Sequence, residues 1–205
     1  MIGIDTPHGR AIAHTHSVDR PRAALVLGHG AGGGVDAPDL VAVTGVALAE
    51  RYAVVLVEQP YRVVGRRSPP RAPVLDASWT AVLNHLRQNE LAGLPIVVGG
   101  RSSGARVACR TAAATGAIAV LCLAFPLRPA ARAGKDPAPS RLPELVQVGV
   151  PVLVVQGERD PFGMPPEAPL RSVVAVPGDH ALRSVAAVQD ATRPWLALLG
   201  GRLRS

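Results

Sequence analysis

The chain has 205 residues, enough for one domain with a sizeable core, and with 48% hydrophobic and 18% charged residues it is not a disordered chain. Lys+Arg 22 against Asp+Glu 15 gives +7, but Lys135 is the only lysine, so the charge reads as arginine-rich background and not as a polyanion-binding surface. The 3% aromatic content leaves few platforms for stacking bases, so nucleic acid is not an expected partner.

Residues 1–16 are predicted to form a hairpin, Ile2-Gly3-Ile4 and Ala11-Ile12-Ala13 around a Pro7-His8-Gly9 turn. Ala23–Leu27 is a continuous apolar run, as expected of a strand covered on both faces, and ends in the loop Gly28-His29-Gly30-Ala31-Gly32-Gly33-Gly34. A helix over about 38–51 and a strand over 53–57 follow, then an irregular Pro/Arg loop over 59–73. A helix over 74–91 and a buried strand over 95–99 come next. Residues 103–115 read as helix and 117–123 as strand; 125–140 form a second Pro/Arg/Ala loop, with a short helix at about 141–148. Strands at 152–155 and 173–176 precede a closing helix from about 181 to 199, which Pro194 is expected to bend. Trp79 and Trp195 fall on helices as core anchors.

A hairpin followed by alternating strands and helices implies one open, mostly parallel sheet with helices on both faces, a single domain over 1–205. Such sheets gather their chemistry at the C-terminal strand edge. There, Gly100-Arg101-Ser102-Ser103-Gly104 is G-x-S-x-G between a strand and a helix, the setting of a nucleophile elbow. A serine nucleophile needs a base, and the base an orienting carboxylate. Asp160 and His180 each follow a later strand, in the order Ser…Asp…His. Glu158 is the competing carboxylate, and Asp160 is preferred because its loop lifts it clear of the strand. His29 is assigned to shaping its loop, and the remaining histidines lie in the hairpin or mid-helix.

An oxyanion needs backbone donors: the N–H of Ser103, and a second from Ala31 or Gly32. The rival reading of Gly28-x-Gly30-x-x-Gly33 is a dinucleotide loop. Pro38 and Asp39 delay the helix, and Glu50 and Glu58 are poorly placed for the acidic residue that loop requires. Arg101 either draws in an anionic substrate or faces solvent. Arg62, Arg66, Arg67 and Arg71 overhang the same edge and could receive a substrate carboxylate or phosphate; the alternative is a solvated loop packed by Pro69 and Pro70.

Cys109 and Cys122 lie in apolar segments without a metal-ligand pattern. With no secretory signal at Met1-Ile2-Gly3 and no apolar run of about 18 residues, a soluble, reduced, cytoplasmic protein is expected, away from membranes.

The loop at Gly28–Gly32, the elbow, Asp160 and His180 together resemble the α/β-hydrolase superfamily. The short spacing between the later strands is similar to a minimal member of about seven or eight strands without a cap domain. Glu58-Gln59-Pro60-Tyr61, Gly65–Arg71 and Ala105–Ala108 resemble the family of testis-expressed protein thirty and the third subunit of the NSL histone acetyltransferase complex. Dienelactone-hydrolase-like enzymes are more distant relatives. The resemblance implies a serine hydrolase of a small carboxylic ester or thioester, with Ser102 as nucleophile, His180 as base and then acid, and Asp160 as its partner. It also implies no metal or cofactor, and a monomer or small homo-oligomer. The alternative it leaves is an interaction module or complex subunit with little activity.

Overall fold

The computed structural model describes residues 1–129 and 139–202. Its hairpin pairs β1 (Ile2–Thr6) with β2 (Gly9–His16). The chain then runs β3 (Ala23–Gly28), α1 (Pro38–Ala49), β4 (Tyr52–Glu58), α2 (Pro60–Val63), α3 (Ala72–Gln88), β5 (Ile96–Arg101) and α4 (Ser103–Thr111). It continues through β6 (Ala119–Leu123), α5 (Leu142–Val146), β7 (Val152–Gly157), β8 (Arg171–Val176) and α6 (Val185–Arg202).

These strands form one sheet in the order β1-β2-β4-β3-β5-β6-β7-β8, antiparallel at β1–β2–β4 and parallel from β4 onward. The apolar runs are continuous because both faces are covered. On β3, Ala24 and Val26 face a core with Trp79 and Leu83 of α3 and Ala105 and Ala108 of α4. Ala23, Leu25 and Leu27 face the other, with Leu40 and Val43 of α1 and Val188 and Leu196 of α6. Trp79 is fully enclosed, and Trp195 packs partly buried against the second core. Cys109 and Cys122 are free, buried thiols with sulfurs 3.5 Å apart. Between β6 and β7 the described residues hold only α5, and among the described residues no cap domain covers the sheet edge.

Three expectations need correction. The 59–73 loop contains a helical turn, α2, begun by Pro60, which lacks an N–H that the first turn would leave unpaired anyway. The helix α4 stops at Thr111, four residues short of the reading. The last helix starts at Val185, not near 181: Leu182 is fully buried with φ +46, a left-handed conformation that a helix cannot continue through. Residues 130–138 of the second Pro/Arg/Ala loop lie outside the described residues. No helix among the described residues is long and apolar enough to cross a membrane.

Candidate active site

Ser102 sits between β5 and α4 with φ +51 and ψ −105, a sparsely populated conformation for a residue with a side chain. Two glycines make the turn possible. A Cβ on Gly100 would strike the Gly28 carbonyl oxygen and lie 2.8 Å from the Gly104 carbonyl carbon. A Cβ on Gly104 would strike the same oxygen and lie 2.6 Å from the Gly28 carbonyl carbon. The Ser102 N–H donates to Leu123 O at 2.8 Å, anchoring the turn on β6.

The structure brings the three expected residues together. Ser102 Oγ lies 3.0 Å from His180 Nε2, and His180 Nδ1 lies 2.8 Å from Asp160 Oδ2. A carboxylate only accepts, so Nδ1–H donates to Asp160 and Nε2 is left to accept the serine proton. Asp160 is 8% exposed, whereas Glu158 is exposed. Phe162 presses edge-on against the His180 ring with centroids 4.5 Å apart. Its N–H donates to Asp160 Oδ1 at 2.9 Å. Gln156, fully buried on β7, donates to Asp160 Oδ2 at 2.9 Å. Neither Gln156 nor Phe162 figures among the sequence expectations. A lone glutamine closing the apolar run Val152–Val155 is the signal that could have found the first.

The loop after β3 is held by two side chains. His29 is buried; its Nδ1–H donates to Gly30 O at 2.8 Å, and its Nε2 accepts the Gln59 N–H at 3.1 Å. Burial is the largest influence on His29 and lowers its pKa, so the ring stays neutral. Its expected role in shaping the loop agrees with this geometry. Tyr61 Oη donates to Ala31 O at 2.9 Å. Burial pushes that phenol up to about 12, keeping it a donor. A trans peptide points its C=O and N–H in opposite directions. Fixing Gly30 O therefore aims the Ala31 N–H, and fixing Ala31 O aims the Gly32 N–H. The Ser103 N–H belongs to the first turn of α4, whose donors have no intrahelical partner.

Arg101 is partly exposed and is tied within the protein. Its Nε lies 2.9 Å from Asp39 Oδ2, and its Nη2 donates to the backbone O of His180 at 3.0 Å. The physical reason is Asp39, fully buried at the start of α1. Burial raises its pKa and the Arg101 charge opposes that rise. Arg62 donates to Arg66 O at 3.3 Å, and Arg66 is exposed on the wall of a cleft beside α2. Among the described residues no group of three or more His, Cys, Asp or Glu side chains is placed to hold a metal ion.

Residues 21–188 match the family described as alpha/beta hydrolase domain. No curated protein matches the chain in sequence. Among solved structures it is similar to Est1E from Butyrivibrio proteoclasticus, at 16% identity and a TM-score of 0.77 over 98% of each chain. It is also similar to XC6422 from Xanthomonas campestris, described as a serine hydrolase without lid, at 18% identity and 0.68 over 95% of this chain and 93% of that one. The esterase Pf2001 of Pyrococcus furiosus gives 16% and 0.72 over 99% and 90%. At such identities the likeness is one of fold.

Proposed function

The chain belongs to the alpha/beta hydrolase domain family, and on that premise we propose that it is a serine hydrolase cleaving a small carboxylic ester or thioester through an acyl-enzyme on Ser102. The observation that carries the reading is the series Ser102 Oγ–His180 Nε2–Asp160, at 3.0 and 2.8 Å, built on a serine in a strained turn. His180 Nε2 takes the hydroxyl proton as Oγ attacks the acyl carbon. Asp160 stabilises the imidazolium that results. The carbonyl oxygen becomes an oxyanion received by the N–H of Ser103 and that of Ala31 or Gly32. On collapse, Nε2–H protonates the departing alkoxide or thiolate. Water, deprotonated by the same nitrogen, then releases the acid and restores Ser102.

Arg101 acts in this scheme as a positioning residue. It ties the His180 backbone to α1 through Asp39, on the strand that delivers the nucleophile. The narrower likeness to the family of testis-expressed protein thirty and NSL subunit three rests on the 58–71 loop and the elbow residues Ala105–Ala108. Turnover of p-nitrophenyl acetate by the wild type, lost by about 10³-fold or more in Ser102→Ala and His180→Ala, is the expected result. Turnover no faster than free imidazole would favour an interaction module instead.

A further inference from the structure

The segment 59–75 contains Arg62, Arg66, Arg67 and Arg71 and no Asp or Glu. The acidic residues at its two ends are already engaged: Glu58 meets His14 at 3.0 Å and Asp76 meets Arg110 at 2.6 Å. Other arginines are paired, Arg22 with Glu50, Arg106 with Glu144 and Arg101 with Asp39. The four in this segment have no carboxylate within ion-pair distance among the described residues. The segment borders a cleft of about 460 Å³ between α2, the start of α3 and the β1–β2 turn. Its walls are mainly apolar, including Val64, Pro69, Val74 and Leu75; Arg66 is its arginine, and no carboxylate lines it. The first turn of α3 has no acidic residue, so the positive end of that helix adds to the field.

Register places the cleft relative to Ser102. Gly28 pairs with Val57 on one side and Gly100 on the other. Gln59 and Ser102 therefore stand two residues beyond the same level, on strands two apart, about 10 Å across the sheet. His180 follows β8, on the opposite side of Ser102. A leaving group must meet His180 to be protonated, which leaves the side of Ser102 away from β8, past the loop that carries Ala31, for the acyl group. Tyr61 and Gln59, which line the cleft, also hold the loop carrying Ala31.

We infer that this cleft receives the far end of the acyl group, and that this end is an apolar segment terminating in a carboxylate held by Arg66. The inference rests on Ser102 being the nucleophile. The test compares p-nitrophenyl heptanoate with mono-p-nitrophenyl suberate, which adds a carboxylate to an acyl chain long enough to span about 10 Å. A kcat/KM at least about tenfold higher for the suberate ester is expected, with the ratio falling toward one in Arg66→Ala. Arg193→Ala, an exposed change on α6, leaves the ratio unaltered. A second arm titrates Ser102→Ala with phenylbutyrate and the neutral phenylbutyramide by calorimetry. Tighter binding of the acid is expected, with the difference removed by adding Arg66→Ala. Hydrolysis of both esters without preference, or equal binding of acid and amide, overturns the cleft's role and leaves the hydrolase reading intact. If neither ester is hydrolysed, the hydrolase reading fails, and the binding arm alone decides whether the cleft takes carboxylates.

Discussion

Replacing Arg101 with methionine keeps most of the side-chain stem and removes the charge that faces Asp39. Asp39 is fully buried and the Arg101 side chain is 19% exposed. Removing one partner of a buried pair costs about 3–5 kcal/mol; with one partner partly in solvent, the lower end applies, about 3 kcal/mol. With a urea slope of about 2–3 kcal/mol/M, the unfolding midpoint falls by about 1–1.5 M. The sign of the pH dependence follows from Asp39. Its carboxyl is raised above its ordinary value in the folded state, so its contribution is most favourable below that ordinary value and is lost as pH rises through the folded pKa. Arg101 opposes the rise, so Arg101→Met is destabilised least near pH 4 and most at neutrality. Adding Asp39→Leu removes the stranded charge, recovers most of the loss and flattens the slope. Urea titrations of the wild type, the single variant and the double variant from pH 4 to 8 measure all three effects. A single variant within about 0.5 kcal/mol of wild type at pH 7, or a loss independent of pH, refutes the ion pair as described.

Other consequences are open to measurement. His29 is buried neutral with a lowered pKa, so the stability it contributes is fully present above about pH 6.5 and declines as pH falls from there. His29→Asn is therefore expected to show a shallower acid limb in urea midpoints between pH 7 and 4.5. An unchanged slope would assign that limb elsewhere. Tyr61→Phe frees the Ala31 carbonyl; if the Gly32 N–H is the second oxyanion donor, kcat falls with little change in KM, and an unchanged kcat points to Ala31. Gly104→Ala would drive its Cβ into the Gly28 backbone, so loss of the folded elbow is expected by circular dichroism and activity. Gly45→Ala, exposed on α1 with open space around it, is expected to stabilise by about 0.5–1 kcal/mol.

Much of the sheet was legible because burial on both faces imposes uninterrupted apolar runs such as Ala23–Leu27, and the parallel crossovers follow from their alternation with helices. Ser102, His180 and Asp160 were legible for a related reason. In such a sheet the residue just after each strand reaches the same edge, so chain order stands in for proximity. What escaped were contacts between residues that no local pattern links. Asp39 looks like an ordinary first-turn carboxylate, and only the fold carries Arg101 to it. Tyr61 and Ala31 meet because β3 and β4 are neighbours with matched ends. The turn at 181–184 departs from the expected helix because composition does not reveal a left-handed Leu182 whose side chain is drawn into the core.

The proposed chemistry stands on Ser102 as nucleophile and on its activation by His180. Its most direct measurement is labelling with a fluorophosphonate followed by peptide mass spectrometry. A single adduct on Ser102, absent in Ser102→Ala and strongly slowed in His180→Ala, is the expected result. An unlabelled wild type, an adduct on another residue, or labelling that persists in Ser102→Ala would contradict the claim.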